Sequence, residues 1–238
     1  MSKPRYRRVL VKVSGEALMG GVNDALDPKT LARIAKDLAA TRALGVDIAV
    51  MVGGGNFLRG SSVAGTGLDR ATADQMGMLA TVINTLALGD AIEKAGADVR
   101  TLSAVPMPTI CEPYARQRAL KHLKDGRIVV LGGGTGNPFF TTDTSAVLRA
   151  AELQCEVILK ATDVDGVYDA DPKKNPKAKR FERLTHDEAL AQDLKVMDAA
   201  AFALARDARL PIIVFSIRAA DAIAATIRGE GRSTTVSP

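Results

Sequence analysis

The stretch that most restricts the fold of this 238-residue chain is 127–144, RIVVLGGGTGNPFFTTDT. Its apolar opening, Ile128, Val129, Val130 and Leu131, reads as a buried strand. Gly132, Gly133, Gly134 and Gly136 follow, and Thr141, Thr142, Asp143 and Thr144 then stand before the helix-like segment 146–153. Glycine lets a backbone take positive φ and come close to a ligand. A hydroxyl-rich helix start points free N–H groups and the positive end of the helix dipole at the same place. Such a junction is shaped for an anion, phosphate first. The plainer alternative is a tight turn with Thr142 or Asp143 as helix N-cap. Four glycines and four consecutive hydroxyl or acidic residues exceed what a cap requires.

The same pattern recurs upstream. Residues 9–13 read as a first strand containing Lys12, followed by the turn Ser14-Gly15-Glu16. An unpaired ammonium inside an apolar strand is costly, so Lys12 should emerge at the carboxyl end, where open α/β sheets bind ligands. It either contacts phosphate there or snorkels from an edge strand. After the polar loop 19–27, Asp27 and Pro28 begin a helix with Leu31, Ile34 and Leu38 at helical spacing, closed by Gly45. Residues 46–52 form a second strand that runs into Gly53-Gly54-Gly55-Asn56, with Arg59 a few positions on. Two glycine junctions leaving parallel strands would open on one edge of the sheet. A small polar loop, 61–69, precedes a long helix predicted to start at Asp74 and end at Gly96. Asp74 is its N-cap or a ligand acceptor, and Met76 and Met78 read as core or subunit packing.

Further on, residues 99–102 read as strand three, and 105–113, with three prolines, as a loop or edge hairpin. A helix at 114–124 leads into the glycine stretch. A strand at 156–160, the turn Asp165-Gly166 and a charged loop at 171–180 come next. Thr185 with Glu188 makes a capping-box start, and Asp198 caps a helix over 199–209. Strand 210–215, helix 219–228 and strand 234–236 close the chain. This alternation predicts one α/β domain, a mostly parallel sheet with helices on both faces. Two lobes meet near residue 150.

Composition narrows the function. An apolar content of 47% can fill a core, and a net charge of +5 suits anionic ligands. The absence of Trp and of a helix with a basic stripe argues against nucleic acid as the main partner. Cys111 and Cys155 are too few for a disulfide scaffold, so the reducing cytoplasm is the expected location. His122 and His186 cannot build a Cys/His metal site, and no metal-ligating set is expected. No stretch has the length of a membrane span. A GxxxxGK[ST] loop is lacking, as is a GxGxxG fingerprint with its downstream acid. Lys12, Arg59, the Gly- and Thr-rich loops and Asp74, Asp143, Asp171 and Asp198 remain. They suit phosphoryl transfer, which needs positioning and charge neutralisation more than covalent help. Mg²⁺ would then ride on the phosphates with few protein ligands.

KVSGEAL at 12–18, GGGNFLRG at 53–60, DQMGMLATVIN at 74–84, GTGNPFFTTDT at 134–144, LKATDVDGVYDADP at 159–172 and LKVMD at 194–198 together resemble the bacterial uridylate kinases of the amino-acid kinase superfamily. The resemblance covers nearly the whole chain and implies a three-layer αβα sandwich that converts ATP and UMP to ADP and UDP with Mg²⁺. It also implies a cytoplasmic homohexamer, activated by GTP and inhibited by UTP. The family's ATP contacts fall on Lys12, Val13, Ser14, Gly15, Gly55, Arg59, Thr162, Tyr168 and Asp171. Its UMP contacts fall on Gly54, Asp74, Thr135, Gly136, Asn137, Pro138, Phe139, Phe140, Thr141 and Thr142. The lobe before about residue 150 would hold UMP, and 151–238 would hold ATP. Lys12 and Arg59 would meet the charge of the transferring phosphoryl, with Asp143 and Asp198 ordering Lys12 or the metal. Position 163 is Asp, where relatives often carry Asn or Lys. The alternatives are a relative that phosphorylates a carboxylate or carbamate, and a non-catalytic nucleotide sensor or DNA-binding regulator.

Overall fold

A computed structural model describes residues 3–20, 24–58, 67–194 and 196–238. Arg59, Gly60, Lys195 and parts of the loops at 19–27 and 61–69 lie outside them. Branched apolar residues at period two build β1, Arg8–Val13. A short 3₁₀ turn, Gly15–Leu18, leaves it, followed by α1, Pro28–Ala43, capped by Asp27 with proline at its start. β2 (Asp47–Val52), α2 (Arg70–Lys94), β3 (Val99–Ser103) and β4 (Glu112–Pro113) come next. Then follow α3 (Arg116–Lys124), β5 (Ile128–Gly132), α4 (Thr142–Glu152) and β6 (Val157–Thr162). The chain ends with β7 (Arg183–Thr185), α5 (His186–Ala191), α6 (Ala199–Asp207), β8 (Ile212–Ser216), α7 (Ala222–Arg228) and β9 (Ser233–Ser237).

The described strands form one sheet in the order β4-β3-β5-β2-β1-β6-β8-β9-β7. Pairings are parallel except between β8 and β9. Strand alternation divides the core in two. Val9, Val11, Val13, Val50 and Leu159 pack with Ile34 and Leu38 of α1, Leu88 of α2 and Ile223 of α7. Leu10, Met51, Val129 and Ile158 pack on the other side with Leu123 of α3, Val147 of α4 and Phe202 of α6. The result is an αβα sandwich. β1 lies in the middle of the sheet, so Lys12 is not an edge-strand lysine.

Local expectations needed correction in three places. α2 begins at Arg70, and its cap is Asp69, which accepts from Ala71 N at 3.0 Å and Thr72 N at 3.1 Å. Asp74 therefore sits inside the helix and is no N-cap. The proline-rich segment gives no hairpin: Glu112–Pro113 pairs parallel to β3, with the proline on the sheet's edge, where a missing N–H is tolerated. The cap of α4 is Thr141, whose extended backbone lets its Oγ accept from the amides of Asp143 and Thr144, each at 3.1 Å. The capping box at Thr185 and Glu188 and the cap at Asp198 are present as expected.

One cap comes from a distant element. The N-cap position of α7, Asp221, is left-handed and makes no side-chain cap. Buried Asp37 of α1 supplies it, accepting from Ile223 N at 2.8 Å and Ala224 N at 3.2 Å. Arg33, one turn earlier, donates to the Ile217 carbonyl at 2.6 Å and so pins the loop after β8. Asp37→Ala strands two buried N–H groups and should cost about 1–3 kcal/mol, read as a lowered denaturation midpoint at an unchanged slope.

Candidate active site

Three side chains define the centre. Within β1, Lys12 shares its face with Leu10, and within β6, Lys160 shares its face with Ile158. Parallel pairing sets Lys12 directly opposite Lys160. Both lysines therefore rise on the α4 side of the sheet, at the carboxyl ends of adjacent strands, and each is 7% exposed. Asp143, in the first turn of α4, comes down between them. Lys160 Nζ donates to Asp143 Oδ2 at 2.6 Å. Lys12 Nζ lies 2.8 Å from Oδ1, a close ion pair whose angles fall outside hydrogen-bond geometry.

The charges do not cancel. Two ammonium groups face one carboxylate in a nearly dry place, leaving a surplus positive charge that an anion would complete. Burial works to raise the Asp143 carboxyl, but the two lysines outweigh it and hold the carboxyl below its ordinary range. For Lys160 burial wins: it drives the ammonium down to about 8 against the opposing pull of Asp143, with Lys12 adding repulsion.

The bends above this centre meet one another. β5, β2, β1 and β6 are neighbours and parallel, so their carboxyl-end loops open together. A Cβ on Gly15 would lie 2.7 Å from Gly55 N and 2.9 Å from Gly53 O, so the loops after β1 and β2 touch backbone to backbone. Gly133, at φ +73°, turns the loop after β5 against the start of the β3–β4 connection, and its N–H donates to buried Thr81 Oγ1 at 2.7 Å.

A cavity of about 520 Å³ opens between these loops and α2. Seven expected residues line it: Gly54, Gly55, Asp74, Thr135, Asn137, Phe140 and Thr142. Asp74 is held at its mouth by Arg70, whose Nε lies 3.0 and 2.9 Å from the two carboxylate oxygens. Asp74 Oδ2 also accepts the Phe139 N–H at 2.7 Å. Phe139 is left-handed at φ +72° and 64% exposed, with the Arg70 guanidinium 5.9 Å from its ring centre. Gly136, Pro138, Phe139 and Thr141 belong to the loop without lining the cavity.

Asp198 does not reach Lys12. Its carboxylate accepts from the Thr141 hydroxyl and from Thr144 Oγ1 at 2.9 Å while capping α6 through Ala201 N at 3.0 Å. It thus orders the first turn of α4, and Lys12 only through it; its charge reaches Lys160 as a minor influence.

On the other side, Val13 is buried and Ser14 Oγ accepts from Ala17 N at 3.2 Å, closing the 3₁₀ turn. Thr162 ends β6 and donates to Val164 O at 2.7 Å. Tyr168 and Asp171 lie further out on the β6–β7 connection, satisfied locally by Asp165 and by the Lys173 amide. Asp163 is flanked by Arg218 at 3.4 Å and Lys173 at 3.8 Å. Among the described residues no three or more His, Cys, Asp and Glu side chains form a metal-binding group. Asp143 is taken up by two ammonium groups.

The sequence reading missed Lys160, Arg70 and Thr81. The apolar run ending in Lys160 has the same form as the run ending in Lys12, and that likeness was the available signal.

An α/β protein with a surplus of buried positive charge beneath convergent glycine loops is built to hold and transfer phosphoryl groups. Residues 7–216 match the amino acid kinase family. The chain is 69% identical over 233 residues to a uridylate kinase of Azorhizobium caulinodans, covering 98% of each. It is 60% identical to one of Bradyrhizobium sp. (strain BTAi1) over the whole of both. Among solved structures, UMP kinase from Ureaplasma parvum superposes with a TM-score of 0.93 at 35% identity, covering 98% of this chain and 100% of that one. UMP kinase from Bacillus anthracis gives 0.93 at 39%, covering 98% and 96%. The chain belongs to the amino acid kinase family and, within it, to the uridylate kinases.

The Lys160 ammonium loses its proton as pH rises through about 8, so a rate that needs the cation falls on the basic side. A pH profile of kcat/KM for ADP formation should show a basic limb near pH 8. In Lys160→Arg that limb should be absent below about pH 10, because a guanidinium stays charged.

Proposed function

We propose that this chain transfers the γ-phosphoryl of ATP directly to UMP, giving ADP and UDP, with the nucleotide supplied as its magnesium complex. The pair of in-register lysines bridged by Asp143 carries this reading. Charge on a transferring phosphoryl spreads over its equatorial oxygens, and preorganised cations stabilise it without reorganisation. Lys12 and Lys160 supply those cations. Asp143 keeps both ammonium groups aimed and prevents their mutual repulsion from opening the site. The cavity beside α2 takes the acceptor, with N–H groups of the glycine loops and the Thr142 hydroxyl on its phosphate and Asp74 toward its sugar. Ser14, Gly15 and Thr162, on the β1 and β6 side, face the donor, with Tyr168 and Asp171 beyond them. The lobe up to about residue 150 is thus the acceptor half, and 151–238 the donor half. Arg59 lies outside the described residues and keeps its assignment from the resemblance alone. No general base is required, because the second ionisation of a phosphate monoester is near pH 6.

The same reading makes the protein a cytoplasmic homohexamer that GTP activates and UTP inhibits. No helix among the described residues is long and apolar enough to cross a membrane. Met76, Leu79 and Ile83 of α2 present an apolar stripe at spacings of three and four, 36%, 46% and 47% exposed. A stripe of that kind on a long helix favours self-association.

A coupled ADP-release assay tests the activity. ADP should form only when UMP is present, and turnover with glutamate, aspartate, N-acetylglutamate or carbamate instead would overturn the reading. Lys12→Ala should keep its far-UV spectrum and lose about 10²–10³ in kcat. Adding GTP or UTP to the same assay tests regulation. The double change Leu79→Glu with Ile83→Glu should lower the mass seen by light scattering; an unchanged mass removes the α2 stripe from the interface.

A further inference from the structure

Phosphoryl transfer as described leaves one buried charge in α4 without a task. Arg149 is 6% exposed, and arginine is seldom buried without a partner. Its guanidinium stands over the Tyr114 ring, 3.9 Å from the ring centre. Its Nη1 donates to Glu152 Oε2 at 2.8 Å. The same Glu152 oxygen accepts the Tyr114 hydroxyl at 2.5 Å. Stacked on one side and tied at one end, the guanidinium has little freedom left. Its remaining terminal nitrogen, Nη2, faces the glycine loop from behind, 3.4 Å from both the Gly134 and the Thr135 carbonyl oxygens.

Those two residues line the cavity, and Arg149 does not. A peptide unit is planar, so fixing a carbonyl fixes the direction of the N–H that follows it. Gly134 at φ +58° and Gly136 at φ +84° offer little resistance of their own to rotation. Within the loop the Gly136 N–H bonds the Gly133 carbonyl at 2.9 Å and the Asn137 N–H bonds Thr135 Oγ1 at 3.1 Å, so it is the Gly134 and Thr135 carbonyls that take their brace from outside. We infer that Arg149 is a positioning residue for the acceptor: by fastening the Gly134 and Thr135 carbonyls it turns the Thr135 N–H toward the acceptor phosphate and holds the turn that the Gly136 N–H closes on the Gly133 carbonyl at 2.9 Å. This rests on the reading of the cavity as the acceptor site.

Arg149→Lys tests it, because lysine keeps a positive charge beside Glu152 but cannot fork between Glu152 and two carbonyls. ADP formation is measured while each substrate is titrated in turn, alongside the melting temperature. The KM for UMP should rise about tenfold or more, as loss of charge-assisted hydrogen bonds does. The KM for ATP should move less than about twofold. An unchanged KM for UMP, or the two KM values rising together, overturns the inference. Should the lysine variant not fold, Tyr114→Phe takes its place, since it removes only the hydroxyl that holds Glu152. A rise of about threefold in the UMP KM alone then supports the inference, and no change overturns it. Wild-type chain that fails to turn over UMP overturns the acceptor-site reading and the inference with it. Wild-type turnover with an unaltered variant overturns the inference alone.

Discussion

Two lysines share one carboxylate, and the rest of the structure keeps that arrangement in place. Bringing three charged groups out of water is expensive, and an ion pair in a dry interior seldom recovers the whole cost. A triad with net positive charge recovers even less. It survives because the surrounding fold leaves the charges nowhere else to go. The pairing of β1 with β6 sets the lysines abreast. Alternation sends both to the α4 face. Thr141 and Asp198 fix the first turn of α4 from two sides, so Asp143 is held at the height of the ammonium groups. A one-residue slip in β1 or β6 would turn a lysine into the opposite core.

This dependence explains why the site sits in the middle of the sheet. β1 has a parallel neighbour on each side, β2 and β6. The loops leaving these strands and β5 can therefore surround one point above the triad. Distant elements hold the loops in turn. Asp37 and Arg33 of α1 fasten the segment after β8, and Asn84 of α2 donates to the Gly53 carbonyl at 2.6 Å. The helices of this face, α1 and α2, thus act on the rim as well as on the core.

Much of this was legible in the sequence wherever the cue was local. The glycine loops after β2 and β5, the Asp27 cap with its proline and the Thr185–Glu188 box each declare themselves within a few residues. Lys12 stands out in the sequence because a glycine turn follows it. Lys160 ends an equally apolar run, but Ala-Thr-Asp follows, and nothing nearby marks it as more than a strand terminus. Its role appears only when the register puts it beside Lys12, which is long-range information. The start of α2 is hidden in the sequence because the first large apolar residues at helical spacing, from Met76, lie well inside the helix, while its first turn, 70–73, carries none. Asp198, expected to order Lys12 or the metal, instead has its contacts on the Thr141 and Thr144 hydroxyls, since sequence alone does not say which helix start it faces.

On the proposed reading, the donor and acceptor sides of the site are made from different materials, and the chemistry accounts for the difference. Charge on a moving phosphoryl must be met without rearrangement, which suits short ammonium-bearing reaches from rigid central strands. An acceptor must enter and leave, which suits backbone N–H groups on a loop that side chains hold down at a few points. Phe139 marks one such point. A left-handed phenylalanine costs roughly 1–2 kcal/mol relative to ordinary backbone, and it is kept so by Asp74, itself gripped by Arg70. The carboxylate at the cavity mouth therefore has two duties, holding the strained bend and facing whatever occupies the cavity. An acceptor hydroxyl that approaches Asp74 meets a group whose lone pairs are already partly engaged. On the proposed reading, holding the Phe139 bend and receiving an acceptor hydroxyl would draw on the same oxygens, which would couple the two through Asp74.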